Sequence, residues 1–600
     1  MKKFLCAVFL FSMIPLLAVS QPAAGKEQLN WKPWSDAVFA EAGREQRFVL
    51  LDLEAVWCHW CHVMDENTYR DPKVIRLLQS RYILVKVDQD SRPDLSNRYE
   101  DYGWPATIVF DAKGHEIVKR QGYLPPDEMA SMLKAIIQDP SPGPSVHSEP
   151  KLKLPSSPLL STAMRQQLKN NYLAGYDPEQ GSWGTRQKFL DWDSVEYSIA
   201  LAAMNNDAQA EHMARQTLDG ELHLLDPVWG GVYQYSAGSN WNSPHFEKIM
   251  QMQAENLRIY SIAYASWHDP AYLHAAQEIR RYLKTFLTSR EGGFYTSQDA
   301  DLIDGKHSAS YFALDDGQRR KLGLPRVDTH MYARENGWAI RALVALYAAT
   351  EDTGALEEAL RATRWVLANR SIPGGGFRHG TSDSAGPYLG DSIAMARAFI
   401  SLYAATGDRQ WLANAETTMK FVDDNFRDPA GIGFLTSKAL VGQAIKPKPQ
   451  RDENVMAAQT ANLLFHYTGK QNYQRLAQQA MRYLIASPIV YRLPASSVLL
   501  TDMELGSAPL HLTINGPKND AIAAALFKAA VAYPSIYERI EWWDPQEGPL
   551  PNPDVQYPKL HVSAAFICTD RTCSSPIFKP EELKTRVGRI LQRQNGSRQQ

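Results

Sequence analysis

The residues with the plainest chemistry are Cys58-His59-Trp60-Cys61, flanked by Trp57 and His62. Two cysteines three positions apart at the start of a helix sit one turn from each other, in reach to form and open a disulfide. The N–H groups and macrodipole of a helix N-terminus stabilise a thiolate. Cys58 therefore reads as the attacking sulfur and Cys61 as the resolving one. His59, between them, would favour the thiolate further and make the couple more oxidising, and His62 would act likewise from the flank. Asp52, six residues before Cys58 in an apolar run, reads as a buried carboxylate suited to take the proton of Cys61. Pro105, after Trp104, reads as a cis proline pressed against the pair. Two other readings stay open: a metal site, although ligands this crowded in sequence hardly enclose an ion, and an inert disulfide. No metal and no cofactor is expected.

A second pair, Cys568 and Cys573, brackets a turn after a strand. It is expected to be a structural disulfide, with a relay to the first pair or half a metal site as alternatives. Of the five cysteines, Cys6 lies in the N-terminal leader, and two local pairs in so long a chain exclude a disulfide scaffold.

The elements that position these residues divide a chain of 600 residues, too long for one ordinary core. Residues 1–20 read as a signal peptide: Lys2 and Lys3, an apolar run over 4–17, and small residues to a cleavage point after Ser20. The run is short of the roughly 20 residues that span a bilayer. No later segment is apolar enough to span, so a periplasmic or secreted protein is expected. Residues 28–138 alternate strands, over 48–53, 82–87, 106–110 and 116–119, with helices over 63–80 and 127–138. This is the thioredoxin order. Residues 139–158 hold six prolines and read as a linker.

From 159 to 535 the pattern is helical, punctuated by Gly-Gly-aromatic segments or close variants, such as Gly230-Gly231-Val232-Tyr233, Gly292-Gly293-Phe294 and Gly375-Gly376-Phe377. Pairs of amphipathic helices lie between them. A helix over 160–173 and one over 520–532 are expected to pair and close a ring of twelve. Closure buries faces that a hairpin cannot bury alone. The fold class is thus multidomain: an α/β thioredoxin-like domain, an (α/α)6 toroid, and a small strand-containing appendage over 536–600. An open α-solenoid is the alternative to the toroid.

Asp193, Glu247, Glu335, Asp391 and Glu453 fall near starts of the inner helices, where capping alone would place them. In a toroid those starts converge on one mouth, and paired acids at such a mouth can serve as general acid and base. His245, Glu247, Asp299 and Asp301 are the leading candidates, with Glu335, Asn336 and Asp391 completing a substrate-binding mouth. Fifteen Trp and 27 Tyr lean slightly toward a carbohydrate surface. A net charge of −2 gives no reason to invoke nucleic acid or an anionic membrane.

Trp57-Cys58-His59-Trp60-Cys61-His62, Gly103-Trp104-Pro105, Trp183-Gly184 through Lys188-Phe189, Pro244-His245-Phe246-Glu247-Lys248, the 292–301 segment, Asn336-Gly337 and the 568–573 pair resemble the spermatogenesis-associated protein 20 / YyaL-like family. The resemblance runs from about residue 30 to 585 and implies a thioredoxin-like domain fused to a six-hairpin glycosidase-like barrel. It implies no particular activity. The leading expectation is an exported thiol–disulfide oxidoreductase. Its barrel would recognise a protein thiol or disulfide or a saccharide, and a redox partner would recycle it. A carbohydrate-active hydrolase or epimerase with an accessory redox domain, and a non-catalytic binding protein, are the alternatives.

Overall fold

A computed structural model describes residues 28–146, 151–184, 186–383, 385–440, 443–491, 494–569 and 572–598. The leader and its cleavage point lie outside the described residues. Among the described residues no helix is long and apolar enough to cross a membrane.

The N-terminal domain has strands β1 (Trp31–Lys32), β2 (Phe48–Glu54), β3 (Tyr82–Asp88), β4 (Ala106–Phe110) and β5 (Glu116–Gln121) in the order β1-β3-β2-β4-β5. β2 runs parallel to β3 and antiparallel to β4. Helices α1 (Asp36–Glu45), α2 (His59–Asn67), α3 (Pro72–Arg81), α4 (Pro93–Tyr99) and α5 (Pro126–Gln138) surround the sheet. The single helix expected over 63–80 is two. Asp71 accepts from the amides of Lys73 and Val74, and Pro72, lacking an N–H, suits the first position of a new helix rather than the interior of an old one.

The large domain is a closed double ring. Inner helices α7 (Trp192–Asn205), α9 (Met250–Trp267), α13 (Ala333–Thr350), α15 (Leu389–Thr406), α17 (Arg451–Thr468) and α19 (Ser496–Leu505) each pack on the next, and α19 returns to α7. Their outer partners are α6 (Thr162–Ala174), α8 (Ala208–Glu221), α10 (Pro270–Tyr282), α14 (Thr353–Asn369), α16 (Arg409–Phe426) and α18 (Gln471–Ala486). Short α11 (Ala309–Phe312) and α12 (Asp316–Leu322) lie in the third long connection. Inner helices are covered on both faces, as in α15, where nearly every residue is buried.

The helix that closes the ring is α19, paired with α6, and not the helix expected over 520–532. That segment, α20 (Ala521–Val531), packs instead on a four-stranded sheet of Leu510–Asn515, Glu538–Trp543, Ala564–Thr569 and Thr572–Cys573, together with α21 (Pro580–Arg598). The toroid therefore ends near residue 505, and the appendage begins near 510 rather than 536. α19 carries no glycine-aromatic punctuation and spans only ten residues, so its sequence gives little periodicity to read.

The repeat has a physical basis at both ends of each hairpin. Inner helices end on left-handed residues Asn206, His268, Glu351, Gly407 and Gly469. After the first four the next residue is an Asp that caps the outer helix by accepting a backbone N–H, whereas Lys470, after Gly469, makes no such cap. At the opposite end, side-chain amides hold the glycine-aromatic loops. Gln253 brackets the backbone of Val232, Asn336 that of Phe294, and Asn454 that of Phe434, each accepting from N–H and donating to C=O.

Both ends of the ring are covered. The C-terminal sheet sits under the C-terminal ends of the inner helices, where Tyr347, Ala348 and Ala404 pack on its core and Tyr467 Oη accepts from the amide of Ile540. The N-terminal domain covers the mouth, tied by Ala444 N–H to Asp36, Arg98 to the Lys446 carbonyl and Asn97 to Glu453.

Candidate functional site

Cys58 is the N-cap of α2, and its Sγ accepts the amide of Cys61 at 3.1 Å. The two cysteines are joined in a disulfide. A helix amide aimed at Sγ is the interaction that would favour the Cys58 thiolate once the bond opens. The pair is 3% and 2% exposed, and this burial comes partly from the barrel: Ile249, just before α9, packs against Ala55, Trp57, Cys58 and Cys61, as does Trp104 of the same domain. Trp60, by contrast, is partly exposed and stacks with Tyr123.

The two histidines of the motif are engaged by the barrel. Asp301 takes His59 Nδ1 at 2.8 and 3.0 Å and His62 Nδ1 at 3.1 Å. His62 Nε2 faces the Val56 carbonyl at 3.2 Å, with Asp299 at 3.7 Å. Both nitrogens of His62 thus face acceptors, which suits an imidazolium. Burial by itself would lower the His62 pKa; the Asp301 hydrogen bond and the surrounding carboxylates outweigh it and hold it at about 9. Asp301 is correspondingly low: burial pushes its carboxyl up, and the hydrogen bonds from His59 and His62 more than reverse this. Asp299, pushed up to about 6 by burial, is bound by Arg326, which also donates to Val56 O at 2.7 Å. Glu247 faces the His59 amide at 3.4 Å and is pushed up to about 7 by burial. The sequence expectation placed Glu247, Asp299 and Asp301 in a substrate-binding mouth. In the structure these acids form a latch between the barrel and the start of α2.

Beside the latch lies the mouth cavity, 330 Å³ in volume. Both domains line it: Trp57, Asp90 and Trp104 from above, and Trp192, Asp193, Glu335, Trp338 and Glu453 from the ring. Trp57 donates to Asp90 Oδ2 at 2.7 Å, so the residue preceding the dithiol is fixed in the cavity wall. Burial holds Asp193 at about 7 and Glu453 at about 8. Glu335 is paired with Arg334 at 2.7 Å.

Three expected mouth residues play other parts. Asn336 is the strut of the Phe294 loop, its amide consumed by backbone. Asp391 is fully buried and binds the Arg334 amide and His379 Nδ1, while His379 Nε2 reaches the Asp90 carbonyl across the interface at 2.6 Å. His245 stacks on Tyr235 at 4.3 Å, and burial, with His59 and His307 nearby, pulls its pKa down to about 4. The sequence reading does not single out His379 and Arg326: each stands alone in its segment, and its partners come from elsewhere in the ring (Asp391 and Asp299) and from the docked domain (the Asp90 and Val56 carbonyls).

Asp52 is buried in β2 with Lys86 at 3.3 Å, and burial pushes its carboxyl to about 6. The Trp104-Pro105 bond is cis. Cys568 and Cys573 form a disulfide across the edge of the C-terminal sheet, where the two residues pair in register. Among the described residues, three clusters place carboxylates close enough to share an ion: His62-Asp299-Asp304, Glu335-His379-Asp391 and Asp52-Glu54-Asp65. Their donors are already committed. Both nitrogens of His62 and His379 face acceptors, leaving no ring lone pair, and Lys86 fills the third cluster.

Comparison with known proteins finds a family model for the N-terminal domain and relatives that span more of the chain. The family model Thioredox_DsbH, described as a protein of unknown function, DUF255, matches residues 21–139. An uncharacterized Caenorhabditis elegans protein, B0495.5, is 22% identical over 93% of this chain and 94% of its own. Human spermatogenesis-associated protein 20 is 24% identical over 72% of this chain and 54% of its own length. The chain resembles the spermatogenesis-associated protein 20 family. A stretch of the chain is also similar to the thiol:disulfide interchange protein DsbD 2 of Pseudomonas aeruginosa, 34% identical over 103 residues, 17% of this chain and 16% of that one. Among solved structures, a sugar epimerase from a ruminal bacterium matches with a TM-score of 0.45 and 13% identity, over 57% of this chain and 97% of its own.

Proposed function

We propose that the chain is an exported thiol–disulfide oxidoreductase whose substrate is presented at the mouth of the helical ring. The observation that carries this reading is the Cys58–Cys61 pair at the N-terminus of α2, with the Cys61 amide on Cys58 Sγ, set behind a cavity wall that both domains build. In the reducing direction the Cys58 thiolate attacks a substrate disulfide and releases one substrate thiolate. The Cys61 thiolate then attacks Cys58 Sγ, releases the second, and closes the Cys58–Cys61 bond, so that two electrons pass to the substrate. The reverse sequence oxidises a substrate dithiol. Because the sulfurs are sealed by Ile249 and Trp104, the reading requires either a slender substrate in the cavity or release of the latch at Asp301. A Cys61→Ser variant should accumulate mixed disulfides through Cys58 when expressed in an oxidising compartment. Recovery of none, with the protein folded, refutes the reading.

A second reading, saccharide binding or turnover at Asp193 and Glu453, is supported by the tryptophans and by the near-neutral pKa of these acids in the cavity. It is tested at those two positions, because Glu247 and Asp301 hold the interface. No saccharide binding by the parent, or full binding and turnover in an Asp193→Asn, Glu453→Gln double variant, would dismiss it.

A further inference from the structure

Below the mouth, the axis of the ring is crossed by charge. Glu196 (α7), Arg258 (α9), Arg341 (α13) and Arg397 (α15) line the mouth cavity, and the same four line a second cavity of 160 Å³ that runs down to the C-terminal sheet. They are the waist at which the two spaces meet. Arg258 is fully engaged: Glu196 takes both its terminal nitrogens at 2.7 and 2.8 Å, and Glu255 takes Nε at 2.7 Å. Among the described residues Arg341 has no comparable partner; its nearest carboxylate is Glu196 at 4.0 Å, already committed to Arg258. Arg397 is 9% exposed, and its Nη1 is buried with no hydrogen-bond partner.

Three guanidiniums thus share two committed carboxylates. The remaining acid at this level, Glu504, is buried with an unpartnered Oε2 and is pushed up to about 7 by burial. The crowding shows in Arg341 itself, which burial and then the charges of Arg258 and Arg397 pull down to about 9. An uncompensated buried cation is costly, and a planar fork of N–H donors matches a carboxylate or phosphate oxygen pair.

We propose that the waist of the ring, at Arg341 and Arg397, binds the oxyanion of a small acid, a carboxylate or a phosphate, whose body extends into the mouth cavity beside Trp192 and Trp338. The site is distinct from the dithiol and stands whether or not the sulfurs exchange. It fills the open valences of Arg397 and supplies the negative charge that the ring withholds.

The test uses the full chain and three probes, glucuronate, glucose 6-phosphate and glucose, followed by titration calorimetry. At least one acidic probe should bind saturably while glucose does not. Glucuronate alone marks a carboxylate site, glucose 6-phosphate alone a phosphate site, and both a general oxyanion site. An Arg341→Met, Arg397→Met double variant should lose at least tenfold in affinity while melting no lower than the parent, because it removes uncompensated buried charge. If the double variant does not fold, single Arg341→Gln, at the more accessible position, carries the same comparison. The proposal is overturned if neither acid binds, if glucose binds equally, or if the folded variants bind undiminished.

Discussion

Replacing Asp301 with asparagine unfastens the latch without altering the dithiol. Asp301 is the shared acceptor of His59 and His62, and its pull is the largest reason that the His62 pKa stands at about 9 rather than the ordinary 6.5. The sign follows from proton linkage. A raised histidine contributes to the closed contact fully below pH 6.5, and the contribution is lost as pH rises through about 9. A rise from 6.5 to about 9 corresponds to about 3 kcal/mol, on the order of 100-fold in the equilibrium between closed and open interface. Asp299, at 3.7 Å from His62, would keep part of it in the variant. The assay is alkylation of Cys58 in the reduced protein, since Ile249 and Trp104 must move away for a reagent to reach the sulfur. At pH 6 the Asp301→Asn protein should be alkylated tens of times faster than the parent, and the ratio should fall toward unity by about pH 9.5. Because the histidines tune the thiol, each rate is divided by the thiolate fraction measured for the same protein at that pH before the ratio is taken. A ratio that is flat with pH, or unity throughout, would refute both the latch and its electrostatic origin.

Other expectations concern the ring. Asp226 is fully buried between Lys248 at 2.7 Å and Arg319 at 2.8 Å, and Asp226→Asn leaves two buried cations facing a neutral amide. The loss should be about 3–5 kcal/mol in denaturant unfolding, and a loss below about 1 kcal/mol would contradict the assignment. Gly230 and Gly431 both have left-handed backbone, with φ of 73° and 77°. A Cβ on Gly230 would lie 2.3 Å from the Glu278 carbonyl oxygen, whereas one on Gly431 meets nothing within 4 Å. Gly431→Ala should therefore cost only the conformational penalty of about 1–2 kcal/mol, and Gly230→Ala distinctly more; equal melting temperatures would refute the steric account.

Much of the fold was legible because it is written in local chemistry. The dithiol at a helix start, the strand order around it and the glycine-aromatic punctuation each report a constraint that acts over a few residues. The expected site was legible only in part. Glu335 does line the mouth, with Asp193 and Glu453, because the first turns of inner helices converge there whatever else is present. Asn336 could not be told from a ligand, since an amide that grips a loop and one that grips a substrate look alike until the loop is seen. The turns joining inner to outer helices, such as Asn206-Asp207, His268-Asp269 and Glu351-Asp352, carried a signal that went unread: a left-handed residue followed by an aspartate cap.

The sequence alone determined that Cys58 and Cys61 would meet at the head of a helix, because their spacing and the strand before them leave little else, and that a ring of hairpins would follow. Only the tertiary structure decided what faces the dithiol. Asp301 lies 242 positions from His59 in the chain, and Arg341 and Arg397 belong to different helices. Local patterning carries no term for such distances. The docking of one domain over the mouth of another turned three expected mouth acids into a latch, and the packing of separate inner helices brought Arg341 and Arg397 together at the waist.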